Sequence, residues 1–306
     1  MDNLQEKNFK SGFVAIIGRP NVGKSSLLNS LIQQKVSIIS QIPQTTRHQI
    51  RGVLNIQEAQ VIFVDTPGIH NFKDQLTLHL NTVAKRALEG IDLIIYVVDT
   101  SRPPGNEEKR VLDMLTGQKQ KIIMVLNKID LEKKYFNDYI KLWDKAVVGK
   151  KSNPLLYYIP ASAAKGKNID KIKDAILENL PQGPAYYDQK TLTDFPLTFR
   201  LADIIREKLF LKLKNELPHS LAVEIEEVRD NKRSIYIKAN IYVQRKSQKT
   251  IVVGKKGFVL KEVGVACRKD IEMIFGKKSY LDIWVTVLSD WQKSPRILKK
   301  LGYWWA

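Results

Sequence analysis

The sequence predicts a two-domain chain: an α/β domain with a mainly parallel sheet and helices on both faces, then a smaller α+β domain. Three observations carry that prediction. Five short runs rich in Val and Ile recur between residues 13 and 160, separated by stretches with apolar residues at helical spacing. A segment rich in proline and turn formers, 179–196, then interrupts the rhythm. Beyond it, apolar and polar residues alternate singly, the pattern of strands with one buried face.

In chain order, residues 1–11 read as a polar N-terminal extension without the apolar core of a signal peptide. Strands are expected at FVAIIG (13–18), AQVIFVD (59–65), LIIYVVD (93–99), KIIMVLN (121–127) and LLYYIP (155–160). Such near-continuous apolar runs are buried on both sheet faces, which calls for parallel neighbours and covering helices. This first domain spans 12–180. Residues 181–196, with Pro181, Pro184 and Pro196, read as a linker. The second domain, 197–306, opens with a helix over 197–214 that Pro218 brings to a stop. LAVEIEEV (221–228) and SIYIKANIYV (234–243) alternate as paired strands, and TIVV (250–253) reads as a further strand leading into GKKG. A helix to about residue 275, a strand at YLDIWVTV (280–287), a short basic helix and a tail complete a sheet expected to be mainly antiparallel.

The chain of 306 residues carries a net charge of +18. Residues 185–306 hold 24 basic and 14 acidic side chains, so the excess is denser there and points to a polyanionic partner. The one cysteine, Cys267, excludes an intramolecular disulfide framework and fits a reducing compartment. In its helical context it is expected to be a small core residue. No apolar run approaches the ~18 residues that span a bilayer, so no transmembrane segment is expected and the cytoplasm is the expected location.

Chemistry begins at GRPNVGKS. Gly18, Arg19, Pro20, Asn21, Val22 and Gly23 lie between an expected strand and an expected helix, the context of a phosphate-cradling P-loop. Lys24 reaches the β- and γ-phosphates, Ser25 offers its hydroxyl to Mg²⁺, and Ser26 continues the helix. The base is chosen elsewhere. At the end of the fourth expected strand, NKID places Asp130 to accept hydrogen bonds from the guanine ring N–H and amine, an edge adenine lacks. Asn127 ties that loop to the phosphate loop, and the Lys128 stem covers the ring. DTPG supplies Asp65 for the magnesium shell, with Thr66 and Pro67 leading to the Gly68 amide at the γ-phosphate. ASA places Ser162 and Ala163 where backbone groups meet the guanine O6. GTP or GDP with Mg²⁺ is therefore the expected ligand, and the first domain is an expected P-loop GTPase.

GRPNVGKSSLLNSLI, QTTRH (44–48), DTPGIH, NKID and VVGKKG together resemble the Era family of GTPases over almost the whole chain. The resemblance implies a first switch at 44–48, with Thr46 joining Mg²⁺ and the γ-phosphate; spacing alone leaves Thr45 as the alternative. Lys24, Thr46 and Gly68 are then the groups expected to act on the phosphoryl transfer. Ile69 stands where Ras-like proteins place a glutamine that orients the attacking water. It brings no hydrogen-bonding group, so slow hydrolysis is expected.

GKKG, followed by a helix and lying within a stretch from Arg245 to Lys278 that holds ten basic residues, its own two lysines included, matches the GXXG loop of a KH module. Gly254 and Gly257 allow close backbone approach, and Lys255 and Lys256 add phosphate charge. Ile251, Val252 and Val253 are expected to line a base groove, with Lys261 and Arg268 from the following helix. The element order resembles the type II KH arrangement of Era-type proteins. That implies single-stranded RNA at the 3′ end of 16S rRNA, the 30S subunit as partner, and nucleotide-dependent RNA affinity. A monomer is expected, with a peripheral fraction at the inner membrane through the basic face and the tail carrying Trp304 and Trp305. A constitutive RNA binder and a membrane-surface GTPase are the rival readings.

Overall fold

The computed structural model describes residues 8–37, 50–65, 88–132, 134–213 and 220–302. They fall into two compact units, the first ending at Asp194 and the second beginning at Phe195.

The first unit is built on a six-stranded sheet: β1 (Lys10–Ile17), β2 (Ile50–Ile56), β3 (Ala59–Asp65), β4 (Leu93–Asp99), β5 (Lys121–Asn127) and β6 (Leu155–Pro160), in the order β2-β3-β1-β4-β5-β6. All neighbours are parallel except β2 and β3. Every residue of β3 and β4 is buried, which is why the sequence is apolar there apart from Gln60 and the closing Asp65 and Asp99. Helices α1 (Lys24–Ile32), α2 (Asn106–Leu115), α3 (Phe136–Val147) and α4 (Ile169–Asn179) cover the sheet, α1 packing with α4 and α2 with α3. Beneath α2 and α3, Val111, Leu112, Leu115, Tyr139 and Trp143 close on Ile94, Tyr96 and Val98 of β4. The parallel register matters most for function. It brings the carboxyl ends of β1, β3, β4, β5 and β6 to one edge, where an open α/β sheet holds its ligands.

Sequence periodicity missed β2. IRGVLNI is an antiparallel edge strand broken by Arg51, Gly52 and Asn55, so it makes no continuous apolar run. A Cβ at Gly52 would lie 2.3 Å from Ile32 Cδ1, so the glycine lets α1 lie close against the strand.

The expected linker is also different. Through Asp194 it is a strap bound to the first unit. Ser11 N donates to Pro181 O (3.1 Å), Gly183 N to Phe9 O (3.0 Å), and Val53 N to Leu192 O (2.8 Å). Gln60, buried on β3, accepts from Tyr186 N (2.7 Å) and Tyr187 N (2.9 Å) and donates to Tyr187 O (2.7 Å). At the far end Thr193 Oγ1 donates to Arg51 O (2.5 Å), and Asp194 accepts from Arg51 (3.1 Å) and Tyr187 (2.8 Å). Turn-forming composition signals an irregular backbone; it does not reveal what that backbone is bonded to.

The second unit comprises α5 (Leu197–Lys212), β7 (Leu221–Asp230), β8 (Ser234–Val243), α6 (Lys246–Val253), α7 (Phe258–Phe275), β9 (Lys278–Val287) and α8 (Pro295–Lys300). Its sheet runs β7-β8-β9, and its core sets Leu201, Ile205 and Leu209 of α5 and Val263, Cys267 and Ile271 of α7 against β8. Cys267 is a fully buried core residue, as expected. Two expectations are corrected. The sheet is mixed, because β9 returns parallel to β8 after the two helices. TIVV is the last turn of α6, not a strand. Gln248 Oε1 starts that helix by accepting from Gln244 N (2.8 Å) and Arg245 N (3.0 Å), which outweighs the strand preference of Thr250, Ile251, Val252 and Val253.

Replacing Gln60 by Leu strips three strap groups of their partner. Urea unfolding of the first unit should show a loss of about 2–4 kcal/mol, with faster proteolysis within 181–194. Unchanged stability and protection would show that the strap is held by other means.

Candidate nucleotide site and nucleic-acid interface

The phosphate loop leaves β1 and enters α1 through two residues in the left-handed region, Asn21 (φ 62°) and Gly23 (φ 100°). Gly23 is required twice over, since a Cβ there would also lie 2.3 Å from Asn127 Nδ2. Lys24 folds back across the loop and donates to Gly18 O (3.0 Å) and Arg19 O (2.8 Å). Burial pushes its ammonium down to about 8, against the pull of Asp65 and Glu108. Ser25 Oγ donates to Asp65 Oδ2 at the end of β3 (2.9 Å). Ser37 Oγ donates to the same oxygen (2.9 Å). The sequence offered no signal for Ser37, one serine within the apolar run VSII, yet it is buried beside the pair.

These residues fit a magnesium–nucleotide ligand. Ser25 and Asp65 form an all-oxygen donor pair of the kind a hard cation takes. Gly23 makes room for the Asn127 amide against the loop, and Lys24 places an ammonium beside the pair for the phosphates.

The base loop is organised around Asn127. Its Nδ2 donates to Val22 O (2.8 Å), and its Oδ1 accepts from Ala163 N (3.0 Å). Asp130 is exposed, and its Oδ1 accepts from the buried Ser162 hydroxyl (2.5 Å). Lys128, at φ 68°, extends its ammonium to Asp99 Oδ2 (2.7 Å). Burial raises the Asp99 pKa, but hydrogen bonds from Lys128 and Ser101 outweigh it and hold the carboxyl below its ordinary range. Asp99 was missed by motif reading; it ends β4 directly opposite Asn127 in the register.

Arg19 is placed differently from its expected role. Its side chain turns away into a buried pair with Glu108, leaving only the backbone of residue 19 to the loop. The expected contacts at Thr46, Thr66, Pro67, Gly68 and Ile69 lie outside the described residues.

In the second unit, Gly254 (φ 73°), Lys256 (φ 51°) and Gly257 (φ 75°) fold the GKKG loop so that Lys255 and Lys256 are both exposed. At Gly254 a Cβ would lie 2.5 Å from Val259 Cγ2, so that position is closed to other residues. Ile251 is 51% exposed and available to a ligand, Val253 is partly buried, and Lys261 is exposed. Val252 is not available: on the helix it points into the core and is fully buried, so the expected contact there is withdrawn. Arg268 lines an open cavity of about 380 Å³ with Tyr236, Ser279, Tyr280, Leu281 and Asp282. Exposed aromatics at Phe258, Tyr280 and Trp284 were also missed. Tyr280 and Trp284 had a readable signal, being solvent-side positions of an alternating strand.

Residues 13–128 match the family described as 50S ribosome-binding GTPase, and residues 216–292 match the KH domain family. The chain is 39% identical over 302 residues to GTPase Era of Geobacter metallireducens, covering 98% of this chain and all of that one. It is 42% identical over 297 residues to GTPase Era of a Thermoanaerobacter species, covering 96% of each. A crystal structure of Era in complex with MgGDPNP and nucleotides 1506–1542 of 16S ribosomal RNA matches with a TM-score of 0.88 at 39% identity, covering 96% of this chain and 99% of that one. A variant of Aquifex aeolicus Era bound to GDP and AlF4⁻ matches equally, with a TM-score of 0.88 at 39% identity and 96% and 99% coverage. With both units matched over nearly the full length of these relatives, the chain belongs to the Era family of GTPases.

Proposed function

We propose that this chain is a GTP-hydrolysing switch that binds the single-stranded 3′ end of 16S rRNA and acts in maturation of the 30S subunit. One observation carries this reading: the same chain holds a phosphate loop tied through Asn127 to the NKID loop, and an exposed GKKG loop in a KH unit. The related Era bound to MgGDPNP and 16S rRNA supports the pairing of ligands. The protein is cytoplasmic and monomeric on this proposal, with a peripheral membrane fraction through its basic face.

At the nucleotide, Asp130 selects guanine and Lys128 covers the base, while Ser25 and Asp65 hold Mg²⁺ together with Thr46. When bound, Mg²⁺ neutralises charge between the phosphates. Lys24 leaves the Gly18 and Arg19 carbonyls to meet the phosphate oxygens, and the Gly68 amide faces the γ-phosphate. Hydrolysis is slow because Ile69 cannot orient water.

At the RNA, Lys255, Lys256, Lys261 and Arg268 set affinity, while Ile251, Val253 and the backbone of Gly254 and Gly257 meet the bases. The β2–β3 hairpin offers a route between the two ends. β2 begins just after the first switch, β3 ends at Asp65 where DTPG begins, and the strap that leads to Phe195 is bonded to both strands.

Fluorescence anisotropy with a single-stranded 16S 3′-end RNA tests the reading. The GTP-analogue and GDP forms should differ in RNA affinity; equal affinities at matched salt would remove the switch. Replacing Lys255 and Lys256 by Glu should weaken RNA binding at least tenfold and lower the salt slope by about two, leaving GDP binding intact.

Proton linkage tests Lys24. In the free protein its ammonium is lost near pH 8, whereas a bound phosphate favours the charged form. GDP binding should therefore take up a proton above pH 8, with affinity falling by up to about tenfold per pH unit. Calorimetry in buffers of different ionisation enthalpy measures this. No proton uptake at pH 9 would overturn this linkage.

A further inference from the structure

The phosphate loop is held from two sides, and only one of them belongs to a nucleotide motif. Asn127 holds Val22 near its end. Near its start, Arg19 is gripped by residues of α2 and α3, with Tyr96 of β4 bonded behind them. Arg19 Nε lies 2.5 Å from Glu108 Oε2, and Arg19 Nη2 donates to Tyr139 Oη (2.5 Å). Glu108 Oε1 accepts from Tyr96 Oη (2.5 Å), and Tyr139 passes a hydrogen bond on to Arg102 O (3.2 Å). Glu108 is completely buried, in the first turn of α2.

A buried carboxylate and a buried guanidinium are costly to separate, so their geometry is narrowly set. That geometry bears directly on the site, because the carbonyl of Arg19 is one of the two that hold Lys24 Nζ. Asn21, a non-glycine residue at φ 62°, keeps that conformation where its surroundings over-determine it. Asn127 and Glu108 bracket the residues between 19 and 22 and do so together.

The geometry points to Glu108 as a positioning residue of the nucleotide site: acting through Arg19, it fixes the start of the phosphate loop and the resting place of Lys24. This rests on the nucleotide-site reading above. Glu108 touches no phosphate. Its loss should weaken the hold on phosphates and leave the base loop, anchored by Asn127 and Ser162, as it was.

The test compares GDP with guanosine, each competing against a labelled GDP. Glu108→Gln keeps the side-chain shape and an acceptor for Tyr96. It should lower the ratio of GDP to guanosine affinity at least tenfold. The double variant R19M/E108M removes both buried charges. Thermal unfolding should show it more stable than Glu108→Met alone, with the affinity ratio still at least tenfold low. A merely structural pair would move both ligands together, so a parental ratio in either variant overturns the assignment. Failure of the parent protein to bind GDP would instead overturn the nucleotide-site reading itself.

Discussion

The Asn127 side chain is the contact on which the first unit's chemistry depends. It stands at the end of a buried parallel strand, and one amide serves two loops distant in sequence. Its NH₂ group holds Val22 of the phosphate loop, and its oxygen receives Ala163 of the loop after β6. Neither contact would exist without the register that brings the ends of β1, β5 and β6 to one edge. Gly23 answers the same demand from the other side, since a Cβ there would displace the amide. Phosphate loop, base loop and sheet register are one constraint expressed in three places.

The second consequence of that register is mechanical. Its outermost pair, β2 and β3, is the antiparallel hairpin joining the expected first switch to DTPG, and the strap lies along it. Gln60 reads the strap backbone at Tyr186 and Tyr187 from inside the sheet, where the lost water is replaced bond for bond. A displacement of either hairpin strand would act on those bonds directly. The chain that carries the load is then the same chain that enters the second unit at Phe195.

How much of this was readable in the sequence follows from physics. The phosphate loop, Asp65, Asn127 and Asp130 were readable because each needs a particular residue type at a strand end, and buried parallel strands announce themselves. The GKKG loop was readable for a related reason: positive φ and close approach leave little choice but glycine. Contacts made by ordinary residues across long sequence distances were not readable. Glu108 looks like any first-turn glutamate of a helix, although it is fully buried under Arg19. Ser37 and Gln60 carry no motif at all. The α6 helix was misread because β-branched residues favour strands locally, while the Gln248 cap and the core contact of Val252 decide otherwise. Val252 was lost from the groove by the same error, since helical spacing turns it inward and leaves Ile251 outside.

The two phosphate-facing devices of this chain share a design and differ in solvent, and the difference sets what each can recognise. Both use glycines in the left-handed region beside lysine. Lys24 is buried, desolvated and held by two carbonyls, so its charge is little screened and is directed at one place. Such a group favours a small ligand that replaces the carbonyls and the lost water together. Lys255 and Lys256 are exposed, and beyond the screening length of about 8 Å at physiological salt their field is largely gone. They suit a polyanion that brings many phosphates to many weak contacts and releases counterions as it binds. Salt should thus loosen the RNA end far more than the nucleotide end. On the proposed function, a switch built this way would keep its nucleotide while it exchanges its RNA, which is the order of events that nucleotide-controlled RNA release requires.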